Sequence, residues 1–189
     1  DPEHEHVETI RSTASTAVQM SQQILSLARY RDDLPGAVEL GELLEEILKT
    51  LEITLSKSVT THLQLPGEPI RFAIHPARFQ QVVINLCQNA AHAMPDGGDL
   101  TVSLSWATSR KEEILLQIKD TGTGIEPGKL DKIFEPLYTT KENGKGTGLG
   151  LFVVDQIVSE YRGAISVDSE SGKGTAFTIR FPVGTSIAI

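Results

Sequence analysis

Glu113-Ile114-Leu115-Leu116-Gln117-Ile118-Lys119-Asp120-Thr121-Gly122-Thr123-Gly124 decides the fold. Residues 113–119 read as a strand, and the strand delivers Asp120 directly into an Asp-x-Gly-x-Gly turn. Just upstream, 100–106 reads as a second strand, reached through the turn Pro95-Asp96-Gly97-Gly98. Before that turn a helix runs from Pro76, suited to the first helical position, to Met94, with Phe79, Val82, Val83, Leu86, Ala90 and Ala93 on one broad face. Earlier still, an amphipathic helix carries Leu40, Leu43, Leu44, Ile47, Leu48 and Leu51, and strand-like stretches follow at 59–65 and 70–74. Downstream of the turn come a short helix near 127–134, a polar Gly-rich stretch to 148, a helix over 147–161 and two strands, 163–168 and 175–181. This order predicts an α+β chain, a two-layer α/β sandwich whose mixed, largely antiparallel sheet carries helices on one face.

A long N-terminal helix is expected ahead of the sandwich. Residues 7–31 lack Gly and Pro, and Val7, Ile10, Ala14, Ala17, Ile24 and Ala28 recur at alternating three- and four-residue spacings, with Ser21 filling one seam position. Small seam residues suit close packing in a helical bundle; the alternative is a helix lying on its own domain. Asp32-Asp33-Leu34-Pro35-Gly36 breaks the pattern, so the expected domains are 1–36 and 37–189.

Composition narrows the chemistry. A net charge of −8 gives no broad attraction for nucleic acid or anionic lipid, so no nucleic-acid partner is expected and any phosphate site must be local. The single cysteine, Cys87, sits among Val82, Val83, Leu86 and Ala90 and reads as a small buried hydrophobe, in keeping with a cytoplasmic location. No apolar run approaches the roughly 18–20 residues that span a membrane, and no signal peptide is visible. The chain opens at Asp1-Pro2-Glu3-His4 and reads as the cytoplasmic piece of a longer parent, whose own membrane anchorage is left open.

Four motifs bear on chemistry. In Gln81-Val82-Val83-Ile84-Asn85-Leu86-Cys87-Gln88-Asn89-Ala90, Asn85 and Asn89 stand four apart on one helical face, where amide oxygens suit Mg²⁺ or phosphate-bound water; His92 lies one turn beyond. The plain alternative is an exposed polar face. In Asp120-Thr121-Gly122-Thr123-Gly124-Ile125 a carboxylate can accept from an exocyclic amine such as adenine N6, with Gly122 and Gly124 admitting a flat base; the alternative is an ordinary turn. Gly144-Lys145-Gly146-Thr147-Gly148-Leu149-Gly150-Leu151 opens a helix, placing free N–H groups where phosphate binds well, yet it matches neither a P-loop nor a dinucleotide fingerprint. Gly172-Lys173-Gly174-Thr175-Ala176-Phe177 reads as a hairpin turn from which the Thr175 hydroxyl reaches toward a base. Between the second and third motifs, Phe134, Leu137 and Tyr138 read as anchors, and Thr140 and Lys141 as phosphate contacts, with a solvated charge the alternative for Lys141.

Taken in order, Asn-x₃-Asn, Asp-x-Gly-x-Gly, Phe-Glu-Pro, Gly-x-Gly-Leu-Gly-Leu and Gly-x-Gly-Thr-x-Phe resemble the ATP-binding domain of sensor histidine kinases, within the wider superfamily of DNA gyrase, Hsp90 and MutL ATPases. Phe134-Glu135-Pro136 with Thr139-Thr140-Lys141 is similar to the subgroup of nitrogen-regulation sensor kinases, and the likeness covers about 38–182. It implies a Bergerat-type fold in which Asn89 holds Mg²⁺, Asp120 binds adenine and 134–150 forms a flexible lid over ATP. With them, Asn85, His92, Gly122, Gly124, Thr140, Lys141, Gly146, Gly148, Leu149, Gly150 and Thr175 make up the expected nucleotide site. Residues 7–31 resemble the second helix of the family's dimerisation hairpin. The helix with the phosphorylated histidine is missing, and no catalytic residue is assigned: His4 and His6 lack the His-Glu-x-x-x-Pro context, while His62 and His75 read as structural. Two departures stand out, His75 where the family usually has Asp and Tyr161-Arg162-Gly163 in place of His-Gly-Gly.

The resemblance implies an ATP-dependent protein-histidine kinase that is a homodimer in its full-length form. It would pass the γ-phosphoryl group to a histidine on its own or the partner subunit's dimerisation helix, then to a response regulator receiver domain. A superfamily ATPase is the alternative, but such hydrolases place a water-activating Glu where this chain has Asn85, and an amide is no general base. A nucleotide-sensing module without chemistry is the third reading.

Overall fold

The computed structural model describes residues 36–140 and 146–184. The helix expected over 7–31 and the boundary at 32–35 lie outside the described residues. In chain order the elements are β1 (Ala37–Glu39), α1 (Leu40–Thr54), β2 (Val59–Gln64), β3 (Arg71–Ala73), α2 (Pro76–Ala93), β4 (Gly98–Trp106), β5 (Glu113–Asp120), a 3₁₀ turn (Pro127–Lys132), α3 (Gly150–Glu160), β6 (Ala164–Glu170) and β7 (Gly174–Pro182).

Five strands form one sheet in the order β2-β4-β5-β7-β6; β2 and β4 run parallel and every other pair is antiparallel. Strand alternation gives the sheet two unlike faces. On one face Leu100, Val102, Leu104, Ile114, Leu116, Ile118, Phe177, Ile179 and Phe181 are buried. The apolar stripes of the helices close over them: Leu44, Ile47, Leu48 and Leu51 from α1, Phe79, Val82, Val83 and Leu86 from α2, and Val153, Val154, Ile157 and Val158 from α3. The other face carries polar residues such as exposed His62, paired with Asp99 at 2.9 Å. Cys87 is fully buried, and burial pushes its thiol up to about 12, so it packs as a protonated hydrophobe. The expected α+β sandwich is the observed one.

Three local expectations change. A second, two-stranded antiparallel sheet joins β1 to β3, pairing Val38 with Phe72. Strands of three residues are too short to show alternation, and their pairing spans a whole helix. The helix expected from 147 begins at Gly150, because Gly148 sits at φ +65°, outside helical backbone space. The short helix near 127–134 is a 3₁₀ turn over Pro127–Lys132.

Side chains cap the first two helices. Both carboxylate oxygens of Glu39 accept from the start of α1, Gly41 N at 3.1 Å and Glu42 N at 2.6 Å, and Oε1 also takes the Ile70 N–H. His75 caps α2, its Nδ1 accepting from Ala77 N at 3.3 Å, which bears out its structural reading. The two departures from the family pattern meet here: the His75 N–H donates to Tyr161 Oη at 3.1 Å. Arg78, only 2% exposed, stands 3.6 Å from Glu160, and Asn85 Nδ2 donates to Gly150 O at 3.3 Å. The start of α2 thus meets the end of α3 and its middle meets the start of α3, so the two helices run in opposite directions.

Tyr161→Phe removes the acceptor of a half-buried N–H and is expected to lower the unfolding free energy by about 1–3 kcal/mol. Urea denaturation with an unchanged slope is the check. His75→Ala, losing the cap, is expected to cost about 1 kcal/mol in the same assay.

Candidate functional site

Asp120 ends β5 on the inner face, 4% exposed. Its Oδ1 accepts two backbone N–H groups, Gly122 at 2.8 Å and Thr175 at 3.2 Å. Burial pushes the carboxyl above the ordinary carboxylate range, and the two N–H bonds pull it part of the way back. Oδ2 makes no hydrogen bond among the described residues and remains able to accept one.

The turn after Asp120 is fastened on two sides. Thr123 N–H donates to Ala93 O at the end of α2 at 2.9 Å, Gly172 N–H donates to Thr123 O at 2.7 Å, and Ile125 N–H donates to Ser169 Oγ at 2.8 Å. The glycines serve this fastening. A Cβ on Gly122 would lie 2.5 Å from Ala93 O, and one on Gly124, at φ +67°, would lie 2.1 Å from Glu170 O. Close packing of the turn against α2 and the β6–β7 hairpin therefore requires both glycines, whatever they also admit.

Thr175 stands directly opposite Asp120 in the β5–β7 pair, 4% exposed, with its Oγ1 2.9 Å from Ser169 Oγ. Sequence reasoning missed Ser169. Its signal is the alternation of β6, where Ile165 and Val167 occupy the inward positions and Ser169 continues the file with a hydroxyl.

On α2 the two asparagines differ in setting. Asn85 is 8% exposed and spent between the helices, its amide N–H on Gly150 O, so it is no exposed polar face. Asn89, one turn on, is half-buried. His92 is exposed, and its Nδ1 donates to the Gln88 carbonyl of its own helix. Gly150 opens α3, which has no side-chain cap and no acidic residue in its first turn, while Leu149 N–H is held by Thr147 Oγ1 at 3.3 Å. Among the described residues the N-cap position of α3 therefore supplies no side-chain cap to the positive end of the helix.

The stretch read as a lid, 134–150, is described only at its flanks; Lys141 lies outside the described residues. The flanks meet where Gly148 packs on the Leu137 backbone. Phe134 stacks edge-on against Phe177 at 6.4 Å and Tyr138 packs against the core, but Leu137 is 61% exposed at φ +65°. Leu137 is thus no side-chain anchor: its left-handed backbone turns the side chain outward and offers its main chain to Gly148. Thr140 is exposed, and half-buried Gly146 begins the second flank.

The structure therefore joins Asp120, Gly122, Gly124 and Thr175 at one end of the sheet, and Asn85 with Gly150, Leu149 and Gly148 at the α2–α3 contact. Among the described residues no hydrogen bond links His92 or Thr140 to either group. Among the described residues no cluster of three His, Cys, Asp or Glu side chains offers a metal cage. That donor set fits Mg²⁺ only as a nucleotide complex, with phosphate oxygens and water supplying most ligands and an Asn89 amide oxygen one. A cleft of about 220 Å³ lies elsewhere, between Glu39, Glu42, Glu45 and Glu68, whose carboxylates would repel a polyphosphate.

Comparison with known proteins agrees with this layout. Residues 74–185 match the family described as Histidine kinase-, DNA gyrase B-, and HSP90-like ATPase. The chain is 34% identical to Sensor kinase CckA of Brucella abortus (strain 2308), over 96% of this chain and 20% of that protein. It is 45% identical to Sporulation kinase E of Bacillus subtilis (strain 168), over 57% of this chain and 14% of that one. The chain thus spans a fifth or less of the length of these two relatives. The structure of Mycobacterial sensor histidine kinase MprB superposes with a TM-score of 0.69 at 26% identity, covering 79% of this chain and 97% of that one. A carboxylate fixed at a strand end, a glycine-led helix and these likenesses converge: the chain belongs to the histidine kinase-, DNA gyrase B- and HSP90-like ATPase family.

Proposed function

We propose that this chain binds Mg-ATP with the adenine amine on Asp120 and the phosphates between Asn89 and the start of α3, and presents the γ-phosphoryl group to a histidine. The observation that carries this reading is the state of Asp120: a nearly buried carboxylate, fixed through Oδ1 by two N–H groups, with Oδ2 left to accept. Gly122, Gly124 and Thr175 shape the base end; Gly146, Gly148, Leu149 and Gly150 offer backbone N–H groups at the phosphate end. Asn85, by holding Gly150, keeps that helix end in line with Asn89. His92, Thr140 and Lys141 are the further phosphate contacts proposed.

Phosphoryl transfer needs positioning and charge neutralisation more than acid–base chemistry. Bound Mg²⁺ would neutralise phosphate oxygens in this site. An imidazole nitrogen forms a bond to the γ-phosphorus as the bond to the β–γ bridging oxygen breaks; ADP leaves, and the imidazole proton passes to solvent. The acceptor histidine is assigned to a dimerisation helix of the same or the partner subunit in a homodimeric parent, with residues 1–36 its C-terminal helix and linker and 37–189 the catalytic domain. A response regulator receiver domain then takes the phosphoryl group. The chain is read as the cytoplasmic portion of that parent; among the described residues no helix is long and apolar enough to cross a membrane. Hydrolysis is disfavoured because Asn85, where the ATPases carry Glu, has no useful basicity and donates its amide N–H to Gly150 O.

Calorimetry is expected to show ADP and ATP binding at micromolar strength or weaker, with a Mg²⁺ dependence that Asn89→Ala abolishes. Absence of binding heat from folded protein at high nucleotide concentration sinks the assignment.

Asp120→Asn separates binding from folding. The folded-state pKa of Asp120 is raised, so its charged form is disfavoured in the fold; that cost is present above the folded-state pKa and is relieved as pH falls through it. An amide oxygen still serves Gly122 and Thr175 without the charge. The variant is expected to melt at or above the wild-type temperature at neutral pH, with the gap closing as pH enters the carboxylate range. Its affinity for ADP is expected to fall about fivefold or more, one lost hydrogen bond.

Incubated with labelled ATP, the chain is expected to label a separately supplied dimerisation hairpin on its histidine and to leave its own histidines unlabelled. Acid-labile label on the chain itself would overturn the assignment of the acceptor to a separate helix, and turnover without phosphoprotein would refute the kinase reading in favour of the ATPase.

A further inference from the structure

Three strands place Asp120, Thr175 and Ser169 in one row: Asp120 lies opposite Thr175, and Thr175 opposite Ser169. Ser169 Oγ makes three contacts, 2.8 Å to Ile125 N, 3.0 Å to Gly174 O and 2.9 Å to Thr175 Oγ1. A serine hydroxyl has one proton and two lone pairs. The Ile125 N–H can only donate, so it takes one lone pair. The Gly174 carbonyl can only accept, so it takes the proton. One lone pair is left, and the third contact must be made by the proton of Thr175. No other assignment satisfies all three.

Thr175 therefore has no proton to offer a ligand, and its Oγ1 presents lone pairs alone. Asp120, its register partner on β5, offers Oδ2, which is also an acceptor. An exocyclic amine suits this pair, since it brings two N–H groups. A carbonyl at the same ring position brings lone pairs against lone pairs, and one turn of the Thr175 hydroxyl would relieve that clash if its proton were free.

We propose that Ser169 is a positioning residue which, by holding the Thr175 proton, makes the base subsite select a 6-amino over a 6-oxo purine. The proposal rests on the adenine reading of Asp120. It differs from a purely structural role for Ser169, because it concerns the preference between two bases and not the affinity for either.

The test measures dissociation constants of ADP and IDP for the full chain by calorimetry, in wild type, Ser169→Ala and Ser169→Thr. Wild type is expected to prefer ADP. In Ser169→Ala the Thr175 hydroxyl is released, and the ADP-over-IDP preference is expected to fall about fivefold, the size of one ordinary hydrogen bond. Ser169→Thr, which keeps the hydroxyl, is expected to retain the wild-type preference. Ser169→Ala also strips the Ile125 N–H of its acceptor, which weakens both nucleotides together and cancels in the ratio. Equal weakening of ADP and IDP, or an unchanged ratio, overturns the proposal and leaves Ser169 a fastener of the turn. If Ser169→Ala does not fold, Ser169→Cys, whose thiol accepts poorly, reads the same ratio. Wild type binding ADP and IDP alike would instead overturn the adenine reading beneath it.

Discussion

One carboxylate oxygen organises the candidate site. Asp120 Oδ1 receives the N–H of Gly122 from its own turn and the N–H of Thr175 from the neighbouring strand. The first bond bends the chain back as it leaves β5, and the second locks that bend to β7. Everything downstream inherits its position from them: Thr123 reaches the end of α2, Ile125 reaches Ser169, and Gly172 closes on Thr123. A neutral acceptor would hold the same geometry, so the charge itself is a burden on the fold.

The site's location follows from where the apolar files of the sheet stop. Inward residues along β5 are Ile114, Leu116 and Ile118, then Asp120; along β7 they are Phe181, Ile179 and Phe177, then Thr175; along β6 they are Ile165 and Val167, then Ser169. Register sets the three polar residues on one rung. The core is closed by helices along its length and gives way, at that rung, to hydrogen-bonding groups, Asp120 and Thr175 buried and Ser169 half-buried. Preorganised polar groups at the rim of a packed layer lose little entropy when they meet a ligand.

The α2–α3 pair holds the other half of the site by the same economy of contacts. His75 and Arg78 join the start of α2 to Tyr161 and Glu160, and Asn85 joins its middle to Gly150. With α3 fixed at both ends, its first residue, Gly150, is held against Asn85 of α2, and its N-cap residue supplies no side-chain cap among the described residues. A tyrosine and a histidine that look like separate departures from a family pattern are one hydrogen-bonded unit.

By itself the sequence determined the sandwich, the helix faces and the strand that carries Asp120, because these depend on local periodicity: 3.6-residue stripes in Leu40–Leu51 and Phe79–Ala90, and alternation in Ile114–Ile118. It also marked Asp120, Asn89 and the glycine-led helix as chemistry, since short spacings put these groups on a turn, a face and a helix end. Only the tertiary structure decided what those residues touch. The β1–β3 pair, the burial of Asn85 against Gly150 and the outward turn of Leu137 depend on partners distant along the chain. The same holds for Gly122 and Gly124, which read as room for a base and prove to be demanded by Ala93 O and Glu170 O. Ser169 shows the division most plainly. Its hydroxyl is one letter in an alternating strand, and its role comes from three neighbours within 3.0 Å: Gly174 and Thr175 across its own hairpin, and Ile125, 44 residues away along the chain.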